Sequence, residues 1–450
     1  MKGILLFIEN LISGTLPFCL LLIIGIFLTF KGRFFQFGKF PLSCSLIFKA
    51  FKTKKSKEEI SSFGAACTAI SATVGTGNIV GVAGALSIGG AGAIFWMWIS
   101  ALCGMTVKFG EIALAIIYRE SNKEKYRGGP MYYIKKGLGS RFKFLSTLFA
   151  VFTLPAVFIG GNMTQSNASV TSVTTDLHSR LILGVIFGVA TALIIGGGIK
   201  RVGNVTEKLV PLMSVLFILM STVILIINID FLPTAFKMIL KGAFNPKAVT
   251  GGAVGSIHTA MMIGASRGIF SNEAGLGTSA MAHSTAFDAK ADTQGLFGIF
   301  EVFVDTILLC TLTALTILCS RVNIEYGKAA STELVESALS TVFGHTSHIL
   351  LALMMCVFGF SSVIGWAVYG EIATEYLFGK KSVFLYKLIY PVACIIGAIA
   401  DTTTVWRLAS LFNGIMLCIN LPPILLMCNE FLESEKNGKK NKRNKKLFKR

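Results

Sequence analysis

The chain has 450 residues, 53% of them hydrophobic and only 14% charged, with a mean hydropathy of +0.69. No soluble core absorbs that much apolar sequence, so the composition points to a polytopic membrane protein. The formal net charge is +19, but the cations gather between apolar runs and at the C-terminal end, which is a topology pattern and excludes a nucleic-acid partner.

Eleven spans are expected, each near the length a bilayer requires. The first, 12–30, has no small-residue cleavage site after it and reads as a retained span. A basic segment follows (Lys31, Arg33, Lys39, Lys49, Lys52, Lys54, Lys55, Lys57), with Phe34, Phe35, Phe37 and Phe40 interleaved, as in a piece lying on the membrane. Span two is 63–87 and span three 91–118, followed by a basic loop that includes Arg119, Lys123, Lys125, Arg127, Lys135 and Lys136. Span four is 144–163, with a polar loop over 164–179 free of Lys and Arg. Spans five and six are 181–199 and 209–229. Span seven is 251–286, span eight 295–319, span nine 348–371, span ten 383–400 and span eleven 404–428, with a surface helix expected over 321–344. Basic segments after spans one, three, five and nine and in the tail fall on one side, which places the N-terminus outside and the C-terminus in the cytoplasm; the segment after span six, with Lys237, Lys241 and Lys247, is the exception. The ten cysteines form no CxxC or Cys/His cluster, and most lie in apolar spans as small hydrophobes, so they read as neither a disulfide frame nor a metal site; no covalently bound cofactor is expected.

Two spans carry sequence that disfavours a continuous helix. Gly75, Gly77 and Gly81 alternate with β-branched Thr73, Val74 and Thr76 in span two. Such glycines serve either close helix approach or unwinding, in which freed carbonyls and amides face a polar cavity instead of lipid. Span seven runs through Gly264-Ala-Ser-Arg-Gly-Ile-Phe-Ser-Asn-Glu-Ala-Gly-Leu-Gly277 and places Arg267, Asn272 and Glu273 at membrane depth, where charge must face protein or water. Unwound backbone is expected near Gly264–Ser266. The two interruptions lie five spans apart, which is the offset of an inverted-repeat transporter. The chain then divides into an extra span with its basic segment (1–62), a first repeat (63–230), a second repeat (231–430) and a basic tail (431–450), all in one membrane domain.

ATVGTGNIVGVA, GAIFWMWISALCGM, VKFGE, GGPMYYI, GNMTQSNA, RGIFSNEAGLGTSAMAH and FGFSSVIGWAVYGE, in that order from span two to span nine, resemble the alanine/glycine:cation symporter family, the sodium:alanine symporters. The resemblance implies a leucine-transporter-like (LeuT-like) all-α bundle with a five-plus-five inverted repeat. It also implies uptake of alanine or glycine coupled to Na+, with proton coupling as the alternative. Family-type geometry places sodium between spans two and nine, on the carbonyls of Ser71, Val74 and Phe358 and the hydroxyls of Ser361 and Ser362. Those hydroxyls have a second possible use, bonding back to their own helix. The substrate carboxylate would meet the amides of Thr76 and Gly77. Acceptors for its ammonium would come from the backbone near Ser266 or from Gln165, which stands three residues after Asn162 and faces the same cavity if the helix is regular. Asn162 and Gln165 read equally as interfacial residues at a span end. Phe270 would cap a small pocket; Asn78 is either a further ligand or a support for the break. Glu111, Glu301, Asp305 and Glu371 are intramembrane carboxylates for which pairing with Lys108 or Arg267 competes with binding a proton or a second cation. No HExxH and no GxSxG with a plausible partner appears, so an enzyme is not expected.

Overall fold

The computed structural model describes residues 11–52, 60–122, 125–252, 256–328 and 332–435. The expectations for Lys54, Lys55, Lys57, Lys123 and the tail from Lys436 onward lie outside those residues. The fold is helical nearly throughout. In chain order the principal helices are α1 (Leu11–Lys31), the bent pair α2a (Ser62–Thr73) and α2b (Gly77–Gly89), α3 (Gly92–Ile117), α4 (Ser140–Thr171), α5 (Leu177–Gly196) and α6 (Gly198–Ile227). They continue with the pair α7a (Ile257–Asn272) and α7b (Thr278–Ser284), α8 (Ala291–Cys319), α9 (Ser347–Phe378), α10 (Ser382–Ile399) and α11 (Thr402–Leu426). Among the described residues nine helices are long and apolar enough to cross a membrane, ten with α2 counted as one. The stretch expected as span seven falls outside that count because α7a has only 16 residues, short of the ~20 a crossing takes.

Burial orders the layers. α3 is 89% buried over its apolar window and sits at the centre, whereas α5 and α6 are 22% and 33% buried and turn Ile186, Leu193, Leu212 and Ile226 outward. The Phe-rich basic segment forms a helix, Phe40–Lys52, fastened to α8 by Phe40 against Phe303 (centroids 4.6 Å apart) and by the Ser43 hydroxyl donating to the Leu296 carbonyl (2.5 Å). The surface helix expected after α8 spans Thr332–Phe343. One departure from an all-α chain is a small antiparallel hairpin, Glu120–Asn122 with Lys125–Arg127.

α4 corrects the reading of its sequence. The segment expected as a polar loop from 164 continues the helix to Thr171. Its polar side chains are spent inside the protein: Asn167 donates to the Gly397 carbonyl (2.8 Å) and Ser169 to the Met355 carbonyl (2.8 Å). Polarity there marks a helix face turned to α9 and α10 instead of lipid.

Both expected interruptions exist, with one displaced. α2 bends by 49° at Val74–Thr76. Ser61 starts α2a by accepting from the Gly64 amide (3.0 Å). α7, by contrast, is unbroken through Gly264 and Ser266, so the carbonyls expected to be unwound there remain in the helix. The chain turns at Glu273, Gly275 and Gly277, with φ of 56°, 88° and 78°, left-handed conformations that the two glycines adopt without steric cost. Gly264 serves close approach: a Cβ on it would run into the Ala93 carbonyl of α3. Replacing Gly264 with Val should therefore destabilise the fold by about 1–3 kcal/mol or more. A thermal midpoint in detergent equal to that of the parent chain would show that α3 and α7 are not in this register.

Candidate functional site

The Val74 amide still reaches the Ile70 carbonyl (2.8 Å), but the next two amides do not return to the helix. The Gly75 amide donates to Asn78 Oδ1 (2.9 Å), and the Thr76 amide and hydroxyl both donate to Gln165 Oε1 (3.0 and 2.9 Å). In a regular helix these amides would pair with the carbonyls of Ser71 and Ala72. The last turn of α2a is thereby left with carbonyls that have lost their helical donors, at a depth where each must find another partner.

α9 faces that turn. The Ser362 hydroxyl donates to the Val74 carbonyl across 3.4 Å, and the buried Ser361 hydroxyl has no hydrogen-bond partner among the described residues. Neither serine is found bonding back to its own helix. A Cβ on Gly75 would overlap Ser362 Oγ and Gln165 Oε1, and one on Gly365 would press on Ser71 and Ala72, so the seam is as tight as glycine allows. Phe358 lies one turn before Ser362 on an unbroken α9, its ring against Phe217 at 5.6 Å. Ser71, Val74 and Ser362 thus belong to one seam whose donors are all oxygens, the chemistry a small hard cation prefers.

Beside the seam is a cavity of about 10 Å³, whose wall includes Thr73, Gly77, Gln165, Phe270, Trp366 and Asn413. That volume holds about one water. Phe270 closes it and packs against Trp406, with ring centroids 5.1 Å apart and the planes tilted by 35°. Three expected roles change. Gln165 reaches the site, but its carbonyl oxygen is taken by Thr76, so the Thr76 amide already has an acceptor. Asn162 does not join it: its amide donates to the Tyr390 carbonyl of α10 (2.8 Å). The cause is a π-type turn over Ala156–Met163, which breaks the 3.6-residue phase on which the pairing relied. Ser266 lines a separate small cavity with Ser13, Gly14 and Arg267.

Two buried polar clusters flank the breaks. In one, Asn78 donates to Asp305 Oδ1 (2.7 Å), while Ser271 and Thr306 donate to Asp305 Oδ2 (2.7 and 2.8 Å). Asn78 therefore supports the α2 break, joining its Gly75 amide to α8. In the other, Lys108 Nζ reaches the Asn272 carbonyl (2.8 Å), Ser279 Oγ (2.6 Å) and Glu301 (3.1 Å). Glu301 also meets His283 at 3.2 Å. Glu111 accepts from the Gly277 amide at 3.0 Å. Glu371 pairs at one end of the bundle with Arg127 (3.5 Å) and Lys387 (3.1 Å). Arg267 pairs with neither Glu273 nor another carboxylate among the described residues; its guanidinium lies over the Trp406 ring.

Comparison with known proteins decides the family, because residues 1–449 match the Sodium:alanine symporter family. The chain belongs to the sodium:alanine symporter family. It is 38% identical to the sodium/alanine symporter AgcS of Methanococcus maripaludis over 450 residues, covering 96% of this chain and 98% of that one. It is also 38% identical to the probable sodium/glutamine symporter GlnT of Bacillus subtilis, covering 93% and 87%. Among solved structures it resembles MhsT in complex with L-phenylalanine (TM-score 0.55, 14% identity, 81% of this chain and 89% of that one). It resembles a manganese transporter of Eremococcus coleocola as well (TM-score 0.51, 15% identity, 81% and 78%). This family member therefore shares the LeuT fold and is a multi-pass membrane transporter. Sequence reasoning left out Ser271, Thr306, Trp366 and Asn413. Ser271 and Trp366 stand inside the quoted blocks, and that was their one available signal.

The α3 cluster makes a quantitative expectation. Replacing Lys108 with Met leaves Glu301 buried without its cation and should cost about 3–5 kcal/mol. Adding Glu301→Gln should return part of that loss. Additive losses in a double-mutant unfolding cycle would mean that the two side chains do not act as a pair.

Proposed function

We propose that this chain is a secondary symporter that couples sodium influx to uptake of alanine or glycine by alternating access. In this reading eleven spans form a LeuT-like bundle, with repeats 63–230 and 231–430 related by inversion and α1 added in front. The N-terminus faces outside and the C-terminus the cytoplasm. The observation that carries the reading is the seam between α2 and α9, where the Ser362 hydroxyl meets the Val74 carbonyl of the broken helix, and the next residue along α9, Ser361, has a buried hydroxyl with no partner among the described residues. Sodium held by Ser71, Val74, Phe358, Ser361 and Ser362 joins the two elements. Its ligands are neutral oxygens, which permits reversible binding and favours sodium over a proton as the coupling ion.

The amino acid binds beside this seam. Its carboxylate replaces Gln165 Oε1 at the Thr76 and Gly77 amides, at the N-terminal end of α2b, where the helix dipole favours negative charge. The released Gln165 turns its amide oxygen to the ammonium. Phe270 and Trp366 bound the side-chain space. The cavity between them, about 10 Å³ in this conformation, supports a small side chain, since each added methylene must be given room. Relatives at 38% identity carry alanine and glutamine in their names, so the pocket wall supports the choice of substrate better than identity does.

Transport also requires one end to open. The end at the start of α2a is closed by Ser62, whose amide and hydroxyl donate to Asp288 (2.9 and 2.7 Å), and by the Phe287 amide donating to the Ile60 carbonyl (3.0 Å). Release on that side breaks these bonds.

Ser362→Ala should raise the sodium concentration for half-maximal alanine uptake by about tenfold, which corresponds to about 1.4 kcal/mol, with the folded yield unchanged. Sodium dependence identical to the parent chain in proteoliposomes would remove Ser362 from the ligand set. Gly77→Leu should abolish alanine uptake, because the side chain projects toward the Phe270 ring, 3.6 Å from a Cβ at that position. Normal uptake by that variant would rule out the carboxylate position.

A further inference from the structure

A second, much larger cavity opens at the opposite end of the bundle from the Ser62–Asp288 closure. It measures about 430 Å³ and is walled by α2b (Gly81, Gly84), α7a (Arg267) and α11 (Thr403, Trp406, Ser410). Its volume lies in the range of small-molecule sites, about 300–1,000 Å³. Arg267 and Ser410 also line the small cavity of about 30 Å³ that borders Phe270, and Phe270 and Asn413 in turn line the innermost one. Three spaces therefore follow one another from surface to centre. Arg267 and Ser410 stand at the first junction, Phe270 and Asn413 at the second.

Arg267 is the group in this route that the proposed transport site does not use. A cation at membrane depth is expensive and is kept for a function. Its guanidinium lies over the Trp406 ring, 5.7 Å from the centroid, a contact that uses none of its N–H groups and leaves them for an acceptor. Among the described residues no carboxylate pairs with it. A planar fork of donors is best met by a carboxylate taken in two parallel bonds. The hydroxyls of Thr403 and Ser410 can accept from an ammonium. Arg407, which has contacts of its own, adds positive charge to the same wall. The innermost cavity admits about one water, so in this conformation an amino acid fits the outer space and not the inner one.

We infer that this vestibule is an outer binding site for the carboxylate end of the amino-acid cargo, anchored by Arg267 and filled before Phe270 moves. The inference rests on the reading that the cargo is an amino acid. Arg267 positions the cargo; it takes no part in holding sodium.

The test uses the full chain in proteoliposomes without sodium. Thr403→Cys is labelled by a charged, membrane-impermeant thiol reagent, and the rate is taken as the increment over the parent chain with its native cysteines. A ligand in the vestibule slows labelling by 1 + [L]/Kd, about tenfold at ten times Kd. L-Alanine and propionate should slow it, ethylamine should not, and Arg267→Gln should abolish the effect while Arg267→Lys keeps part of it. Labelling unaffected by alanine, equal protection by ethylamine and propionate, equal protection by chloride alone, or protection that survives Arg267→Gln would each overturn the inference. Should Arg267→Gln fail to fold, the contrast between propionate and ethylamine decides. Sodium-driven alanine uptake by the parent chain is measured in parallel. Uptake without protection sinks the vestibule alone; protection without uptake sinks the symport reading.

Discussion

Everything in the centre of this protein depends on how α3 holds the two ends of the broken α7. Lys108 and Glu111 stand one turn apart on α3. The lysine ammonium meets the Asn272 carbonyl, where α7a ends and its dipole is negative; the glutamate meets the Gly277 amide, where α7b begins and the dipole is positive. A single helical turn thus supplies opposite charges to opposite helix ends. Glu301 then balances Lys108 from α8. Other groups of the break have partners of their own, the Glu273 amide on the Ile269 carbonyl and the Gly275 carbonyl on Asn420, but without Lys108 and Glu111 the Asn272 carbonyl and the Gly277 amide would lose theirs, at a depth where each unpaired group costs several kcal/mol.

The α2 break is secured differently, and the contrast bears on mechanism. Its amides go to the neutral side-chain oxygens of Asn78 and Gln165. Hydrogen bonds to charged groups are roughly twice as strong as neutral ones, and a neutral bond contributes a net of about 0.5–1.5 kcal/mol. In the proposed function an incoming carboxylate would therefore displace Gln165 from Thr76 with little loss, whereas nothing so weak releases Lys108 from α7. One break is built as fixed framework and the other as an exchangeable socket, which is the division of labour expected where one part of a bundle rocks against another.

The sequence made the breaks, the seam and the family legible because each is written locally: glycine with β-branched residues at 73–77, adjacent serines in an apolar helix at 361–362, and long blocks in order. What it hid depends on helix phase and on partners far along the chain. Asn162 and Gln165 look like neighbours at a spacing of three, but the π-type turn ending at Met163 sends one to Tyr390 and the other to Thr76. The polar run after Thr164 looks like a loop because nothing in it says that α9 and α10 wait to receive its hydrogen bonds. In α7 the glycines of the 264–277 stretch do not say which of them breaks the helix: unwound backbone is expected near Gly264–Ser266, but Gly264 serves close packing against Ala93, and the positive φ values that mark the break fall at Glu273, Gly275 and Gly277.

α1, expected to stand outside the repeated core, is not a bystander to the route. Ser13, Gly14 and Pro17 line the small cavity between the vestibule and Phe270, and Gly414 of α11 lies so close to the Ile12 carbonyl that a Cβ there would collide with it. Any movement of α11 that widens the path past Arg267 and Trp406 must therefore carry the start of α1 along or slide against it. At the other end, α1 leads through the Phe40–Lys52 helix, which is fastened to α8 at Leu296 and Phe303, and Phe303 is where α8 enters its own π-type turn beside Asp305. The added helix and its amphipathic extension thus touch the outer route at one end and the element carrying Asp305 at the other. That placement gives the two ends of the bundle a physical link outside the broken helices themselves.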